Sequence, residues 1–299
     1  MTAPTMPLRA NDHHQANDIE EAERAHLTAV LGQVRAAVAR SGALAARTEE
    51  SHREAGAQLA ASRGELAPEE AHLSAFELNR LDAQAAVAAR SHRRLEKLLA
   101  SPYFARVDFL DGDDAAARGA GADPDASAGP DAGGTVPGGG ALEVTYIGRF
   151  AFTWENKAVV SDWRSPVAAL FYDFEPGPAA FQTPAGERRG TLVRKRQVAV
   201  EEGRLVYAVD SSSSVRDEVL AQALCRSSAA KMHDIVVSIQ REQNAVIRDE
   251  APGTLVIQGV AGSGKTSIAL HRVAYLLYRQ KERLSSQSVA ILSPSRVFS

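Results

Sequence analysis

Eight residues near the end of the chain, Gly259 to Thr266, have the types and spacing of a phosphate-binding loop. Glycines adopt positive φ angles at little cost, so a glycine-rich loop can turn its backbone amides toward a bound anion. Lys265 can reach β- and γ-phosphates, and the Thr266 hydroxyl can ligate Mg²⁺. The pattern predicts a nucleoside triphosphate site. Its residues are Gly259, Val260, Ala261, Gly262, Ser263, Gly264, Lys265, Thr266 and Ser267.

A loop of this kind is positioned by a strand before it and a helix after it. Residues Leu255 to Ile257 predict a buried strand, and Ser267 to Tyr278 predict the helix, whose first amides and positive dipole end face the same anion. Ser288 to Leu292 predict a second buried strand, and helical segments are expected between Val215 and Glu250. This order is typical of the opening of a parallel α/β sheet.

The composition indicates a globular protein of nearly balanced charge. Its 299 residues allow two domains or one domain with appendages, and 34 basic against 37 acidic side chains provide no overall basic field for nucleic acid. A single cysteine, Cys225, excludes an internal disulfide and fits a reducing compartment. No signal peptide or run of membrane-spanning length is evident. We therefore expect a soluble, cytoplasmic protein with no membrane partner.

Helical patterns dominate the N-terminal region. A polar tail, residues 1–17, is expected to be disordered, and Asp18 with Glu21 fits a capping box that opens a first helix. Its apolar stripe contains Leu27, Leu31, Val34 and Val38. After a break, Pro68 suits the first turn of a second helix. That helix carries an unbroken alternation of three- and four-residue spacings over Leu78, Leu81, Ala85, Ala88, His92, Leu95 and Leu99.

Two helices with facing apolar seams and a short turn predict an antiparallel helical hairpin over residues 18–100, with coiled-coil packing. Each arm would be roughly 45–65 Å long. The seam is rich in alanine, so part of the hairpin is expected to pack against something else. The pattern leaves open whether the hairpin is structural or is a probe that enters a partner. His92 has no second ligand at metal spacing and is interpreted as a seam residue.

Residues 101–141 predict a linker. Asp108 to Asp131 is acidic and merges with a Gly/Pro tract, Gly119 to Gly140. The interpretation is a solvated loop, with mimicry of nucleic acid or contact with a basic surface as the alternative.

A small β-rich module follows over residues 142–214, because the apolar period changes to two. The predicted strands are Leu142–Gly148, Ala158–Ser161, Val167–Asp173, Thr191–Val200 and Arg204–Val209. Glu201-Glu202-Gly203 is the expected hairpin turn between the last two. The module carries a basic cluster, interpreted as a solvated strand face, with contact to phosphate or an acidic partner as the alternative. The cluster contains Arg188, Arg189, Arg194, Lys195 and Arg196.

The segment from Ile239 to Arg248 resembles the Q motif of UvrD/Rep-type superfamily 1 helicases, in which the glutamine matching Gln243 reads adenine. A side-chain amide can pair with adenine N6 and N7 together. Gly259–Thr266, with His271 to Leu277 after it, is similar to the first motif of those enzymes. Ala290 to Arg296 is similar to their next motif, whose loop contacts single-stranded nucleic acid. The resemblance implies a RecA-like domain over residues 215–299.

Two upstream motifs, Tyr146-Ile147-Gly148-Arg149 and Asp162-Trp163-Arg164-Ser165-Pro166, resemble the HelD/HelR family of helicase-like ATPases that bind RNA polymerase. Members carry a long N-terminal helical hairpin, a small β-containing region and a split motor. They insert the hairpin into a polymerase channel and use the motor to release polymerase from nucleic acid. The resemblance implies ATP and Mg²⁺ as cofactors, RNA polymerase as partner, and single-stranded DNA as a further one.

The fold class expected from these patterns is α/β: a helical hairpin, a small β-rich module and the start of a RecA-like parallel sheet. No Walker B acidic pair, arginine finger or second RecA-like domain is recognised, so we expect the N-terminal portion of a longer motor, with negligible ATP turnover by itself. Two alternatives are a UvrD/Rep-type 3′-5′ DNA helicase and a non-catalytic, truncated polymerase-binding protein. The hairpin tip near Glu65, Glu69 and Glu70 would be the part that reaches into the polymerase.

Overall fold

A computed structural model describes residues 10–62, 68–112, 141–211, 239, 241–260 and 262–292. The described chain is mixed α/β, with a long N-terminal helix pair and a seven-stranded sheet. Several expectations fall outside these residues. They concern Cys225, the tip residue Glu65, loop residue Ala261, most of the acidic Gly/Pro tract, the helical segments over 215–238, and residues 293–296.

The helix pair consists of α1, Ala10–Ala61, and α2, Pro68–Ala100. The predicted start at Asp18 is wrong, because α1 begins at Ala10. No proline or glycine occurs between Ala10 and Asn17 to interrupt a helix that begins there. The predicted start of α2 is confirmed: proline at the first helical position lacks only an amide that would be unpaired there.

Contacts along the seam show that the two helices run antiparallel. Gly56 lies opposite Leu78, whereas Gly42 lies opposite His92, so one residue number falls as the other rises. A Cβ on Gly42 would lie 3.0 Å from the His92 ring, and the Ser41 hydroxyl lies 3.0 Å from His92 Nδ1. The predicted place of His92 on the seam is confirmed, and glycine lets the ring approach the backbone of α1.

Seven strands form the sheet: β1 Ala105–Asp111, β2 Leu142–Gly148, β3 Phe152–Trp154, β4 Lys157–Asp162, β5 Gly177–Thr183, β6 Gly186–Glu201 and β7 Arg204–Asp210. Their order is β3-β4-β2-β1-β6-β5, and β7 also pairs with β6. The pairs β1–β2, β3–β4, β5–β6 and β6–β7 are antiparallel. The predicted turn between β6 and β7 is confirmed, with positive φ at Glu202 and Gly203 as a two-residue hairpin requires.

The linker prediction is wrong for residues 105–111, which form β1 inside the sheet. Val107 and Phe109 are buried, and so is Asp108. The Asp108 carboxylate is neutralised by Arg106, 2.7 Å away, and by Arg194 at 3.4 Å. A buried carboxylate is tolerated when it is paired and hydrogen-bonded, which composition alone did not reveal.

The basic cluster of β6 is not a solvated face, and its cations have acidic partners within the chain. Arg194, Lys195 and Arg196 are buried. Lys195 Nζ pairs with Glu175, and Arg188 pairs with Asp111 and Glu143. Arg189 alone of the five is largely exposed, and it pairs with Glu187. The cluster therefore serves internal ion pairs.

The predicted strand over Val167–Asp173 is wrong. Pro166–Ala168 forms a 3-10 turn, and Ala169–Asp173 forms a short helix, α3, with Leu170, Phe171 and Tyr172 buried. Proline sets a helical φ at the start of this segment, and a short apolar run does not by itself distinguish a strand from a buried helix.

The two strands predicted around the phosphate loop are also not formed. Residues 255–257 and 289–292 have no strand assignment, and Val256 is 82% exposed. A parallel strand needs neighbours on its edges, and the described residues provide none for these segments. The expected RecA-like parallel sheet is therefore not seen. The helix after the loop is confirmed as α5, Lys265–Arg279, and a short helix, α4, spans Arg241–Arg248.

The chain divides into two compact units. The first contains Met1–Phe104, Gly148–Val160 and Arg196–Asp210. Its described part has a core at the base of the helix pair, made by Leu27, Val30, Leu31, Val34, Leu98, Tyr103, Phe104 and Val198. The side of the pair contacts the segment after β2: Arg40 stacks on Trp154 at 4.2 Å, and Arg94 donates to the Ala151 carbonyl.

The second unit contains Ala105–Ile147, Ser161–Lys195 and Ser211–Ser299. Its described core joins the sheet residues Val107, Phe109, Ile147 and Leu192 to α3, and continues to Ile247 of α4 and Tyr275 of α5. Among the described helices of the chain, none is both long and apolar enough to span a bilayer.

Candidate functional site

The phosphate loop takes the backbone shape that its glycines allow. Gly262 and Gly264 have φ angles of 82° and 79°, in the left-handed region that other residues avoid. Gly264 is also the N-cap of α5, and it makes no side-chain cap. The first intrahelical bond runs from Ile268 N to the Gly264 carbonyl, 2.9 Å away. The amides of the first helical turn therefore begin at the loop, as a phosphate site requires.

Lys265 folds back over this loop. Its ammonium donates to the carbonyl oxygens of Gly259, at 2.8 Å, and Val260, at 2.6 Å. The Ser263 amide closes the loop by donating to the Val260 carbonyl. The ammonium is held at the mouth of the loop by neutral acceptors, so a phosphate oxygen can replace them with a stronger, charge-assisted partner. The exposed Thr266 lies next to it on the first turn. This geometry fits a bound triphosphate with Mg²⁺.

Gln243, the predicted adenine contact, lies in the first turn of α4 and is half-buried. Its neighbour Asn244 is fully buried, and both ends of the Asn244 amide are used. Its Nδ2 donates to Asp173 Oδ1 at 2.7 Å, and its Oδ1 accepts from Arg248 Nε at 3.1 Å. The bond to Asp173, which lies outside α4, restrains the rotation of α4 about its own axis.

Arg248 connects α4 to the segment 162–166. It donates to the carbonyl oxygens of Trp163, at 2.6 Å, and Ser165, at 3.2 Å. Its guanidinium also stacks on two tyrosine rings, Tyr172 at 5.8 Å and Tyr275 at 5.3 Å. All its described contacts are therefore with groups that stand outside α4, apart from the one with Asn244.

Arg164 connects the same segment to α5. It forms a two-pronged ion pair with Asp162, with bonds of 2.8 and 2.7 Å, and these hydrogen bonds raise the pKa of Arg164 above its usual value. The guanidinium also donates to the Ala274 carbonyl and stacks on the Tyr278 ring at 4.6 Å. The Trp163 ring meets the His271 ring edge-on at 5.6 Å.

The two helices also contact each other directly. Arg272 of α5 donates to the Val246 carbonyl of α4 and pairs with Asp249 at 3.6 Å. The Tyr275 hydroxyl donates to Glu250 Oε1 at 3.1 Å, and burial raises the pKa of this phenol. The structure thus places Gln243 and the phosphate loop on two helices that pack together.

Five residues that join these helices were not among the predicted site residues: Asp162, Arg164, Asp173, Asn244 and Arg248. Asp162 and Arg164 lie in a motif whose only sequence signal is its family resemblance, and Asp173 lies at the end of the segment predicted as a strand. A signal was available in the Asp-x-Arg spacing, since two residues apart an aspartate and an arginine can close a two-pronged pair. Among the described residues, no group of three His, Cys, Asp or Glu side chains could hold a metal ion by itself.

A family model described as "DNA helicase IV HelD, N-terminal domain" matches residues 20–224. This range covers most of the chain, including nearly all of the helix pair, the sheet and the Asp162–Pro166 motif. The chain belongs to the HelD family. The resemblance drawn from the sequence is thereby confirmed. No curated protein matches the chain significantly. The matched HelD range ends before Gln243 and the phosphate loop, so the nucleotide assignment rests on the motifs and geometry above.

Proposed function

We propose that the chain binds ATP with Mg²⁺ and belongs to a helicase-like motor that binds RNA polymerase and helps release it from nucleic acid. The observation that carries nucleotide binding is the loop at the start of α5, with left-handed glycines and an ammonium seated on its carbonyls. Lys265 would hold the β- and γ-phosphates, Thr266 would ligate Mg²⁺, and Gln243 would contact adenine. Mg²⁺ bound with the triphosphate neutralises phosphate charge.

The test is the affinity of the full chain for a fluorescent ATP analogue in the presence of Mg²⁺. Lys265→Ala should weaken binding about tenfold or more, because it removes a charge-assisted hydrogen bond. Lys281→Ala is the matched control, since Lys281 is exposed beyond the end of α5. Binding that is absent in the natural chain, or equal in the two variants, would refute the nucleotide site.

The helix pair is the proposed polymerase-binding arm, and its distal end supports that role. Leu73 and Phe76 lie one turn apart near the start of α2 and are 68% and 67% exposed. Large apolar side chains exposed side by side are typical of interaction sites. Glu69 beside them is exposed as well, so the distal end is both apolar and acidic.

Co-elution of the full chain with core RNA polymerase tests this arm. Leu73→Ser with Phe76→Ser should weaken co-elution, whereas Val87→Ser, an exposed position farther along α2, should not. Equal co-elution of all variants would remove the distal end from the interface. If the natural chain does not bind polymerase but retards single-stranded DNA in a gel mobility assay, a UvrD/Rep-type helicase role is the better description. The resemblance of residues 290–296 to a helicase motif that contacts single-stranded nucleic acid supports this alternative.

A further inference from the structure

α4 is a helix of two turns whose orientation depends on its surroundings. Isolated helices of this length are unstable in water, so its own hydrogen bonds do not hold it in place. What holds it is a set of side chains that we call the α4 network: Asp162, Arg164, Asp173, Asn244 and Arg248. Asn244 is 0% exposed and makes both of its hydrogen bonds within this network.

The network connects both helices to one short segment, residues 162–166. Arg248 ties α4 to the carbonyls of Trp163 and Ser165, while the Asp162–Arg164 pair ties the same segment to Ala274 and Tyr278 of α5. Any rotation or sliding of α4 against α5 would break at least one part-buried, charge-assisted hydrogen bond. The network therefore restrains the position of α4 relative to α5 and the phosphate loop.

Gln243 precedes Asn244 directly, so its direction follows from the same fixed rotation. A side-chain amide discriminates between bases only when its donor and acceptor both meet the base edge, which requires placement within about 0.5 Å. The phosphate loop lies outside α4, so we expect phosphate binding not to depend on the rotation of α4.

We propose that the α4 network, with Arg248 at its centre, is a specificity device that makes the site prefer adenine over guanine nucleotides. This inference rests on the proposed ATP site and names positioning residues within it. Arg248 and Asn244 touch no base themselves. Their proposed role is to hold Gln243 in the orientation in which its amide meets the adenine edge.

The test compares the affinities of the full chain for ATP, GTP and inorganic tripolyphosphate. Arg248→Lys keeps the charge but loses the planar fork that bonds Asn244, Trp163 and Ser165 together. It should lower the ATP-to-GTP preference about tenfold, as Gln243→Ala should as well, and leave tripolyphosphate affinity unchanged. In a Gln243→Ala background Arg248→Lys should have no further effect on the preference. The matched control is Arg189→Lys, at an exposed ion pair.

The outcomes separate the two proposals. If the natural chain binds neither ATP nor tripolyphosphate, the proposed function fails and the inference falls with it. If it binds ATP and GTP equally, or if Arg248→Lys weakens all three ligands by the same factor, nucleotide binding stands and the specificity device is refuted. Should Arg248→Lys not fold, Arg164→Lys, at a partly exposed position, gives the same test with the same expected split.

Discussion

Arg196 Nη1 donates to Glu23 Oε2 at 3.0 Å, and the two side chains are both buried although 173 positions separate them in sequence. The same guanidinium forms a two-pronged pair with Asp210, at 2.6 and 3.0 Å. One cation thus joins the base of α1 to the β6–β7 hairpin. Glu23 Oε1 has no hydrogen-bond partner among the described residues, so Arg196 provides the positive charge that offsets the burial of the Glu23 carboxylate.

Replacement of Arg196 by leucine should destabilise the protein strongly. The variant would leave Glu23 buried without its cation, and breaking a buried pair from one side costs about 3–5 kcal/mol. Urea denaturation measures the effect. Arg189→Leu, at the exposed end of the same strand, should change stability by less than about 0.5 kcal/mol. Similar midpoints for the two variants would contradict the role given to Arg196.

Gly148→Ala should be destabilising for a reason visible in the backbone. A Cβ at this position would lie 2.4 Å from the Pro102 carbonyl oxygen and 2.7 Å from a Val160 methyl group. The carbonyl cannot move without the backbone, so a cost of about 2 kcal/mol is expected. Gly32→Ala in α1 is the control, because nothing lies within 4 Å of its added methyl. It should stabilise by about 0.5–1 kcal/mol, and a melting curve for each variant distinguishes the two signs.

Stability should fall at alkaline pH partly through Tyr275. Burial raises the pKa of this phenol in the folded protein above its ordinary value of 10.0. The unfolded chain therefore releases the proton first, and the stability held below pH 10 is lost as pH rises above that value. Between pH 9 and pH 11 the urea midpoint of the natural chain should drop more steeply than that of Tyr275→Phe. Parallel curves for the two proteins would show that this phenol does not contribute.

Thr266→Val should separate magnesium from phosphate binding. The change keeps the shape of the side chain and removes the hydroxyl that is proposed to ligate Mg²⁺. We expect the gain in ATP affinity on adding Mg²⁺ to fall severalfold, while affinity in EDTA stays the same. Titrations with and without Mg²⁺ measure both values. A loss that is equal in both conditions would place the hydroxyl on the phosphate instead.

Local patterns predicted the parts of the fold that local physics decides. The seam of α2, from Leu78 to Leu99, follows from helical spacing, and the β6–β7 turn follows from residues that tolerate positive φ. β1 could not be predicted in this way. Its buried Asp108 pairs with Arg106 in the same strand and also with Arg194, and this second partner, distant in sequence, becomes a neighbour only in the folded chain.

The site shows the same division. The helix predicted after the contiguous loop motif is confirmed at Lys265–Arg279, whereas the role of the loop residues in phosphate binding stays a prediction. Asn244 and Asp173 lie 71 positions apart in sequence and meet only in the folded chain. Asp173 also lies in a segment that was predicted to be a strand and is a helix. Polar residues of buried hydrogen-bond networks do not recur at a regular spacing in sequence, so their partners cannot be predicted from a periodic pattern.

The first unit is assembled from three separated stretches of chain, the last of which ends at Asp210. On the ribosome α1 and α2 therefore emerge, and can pair with each other, well before Arg196 exists. At a synthesis rate of about 5–20 residues per second, roughly 10–35 s pass between the synthesis of Glu23 and that of Arg196, 173 positions later. We expect the helix pair to form early and the core at its base to form late. Nascent chains halted after α2 has emerged and before Arg196 is made would expose the acidic and apolar residues at the base of α1 to chaperones.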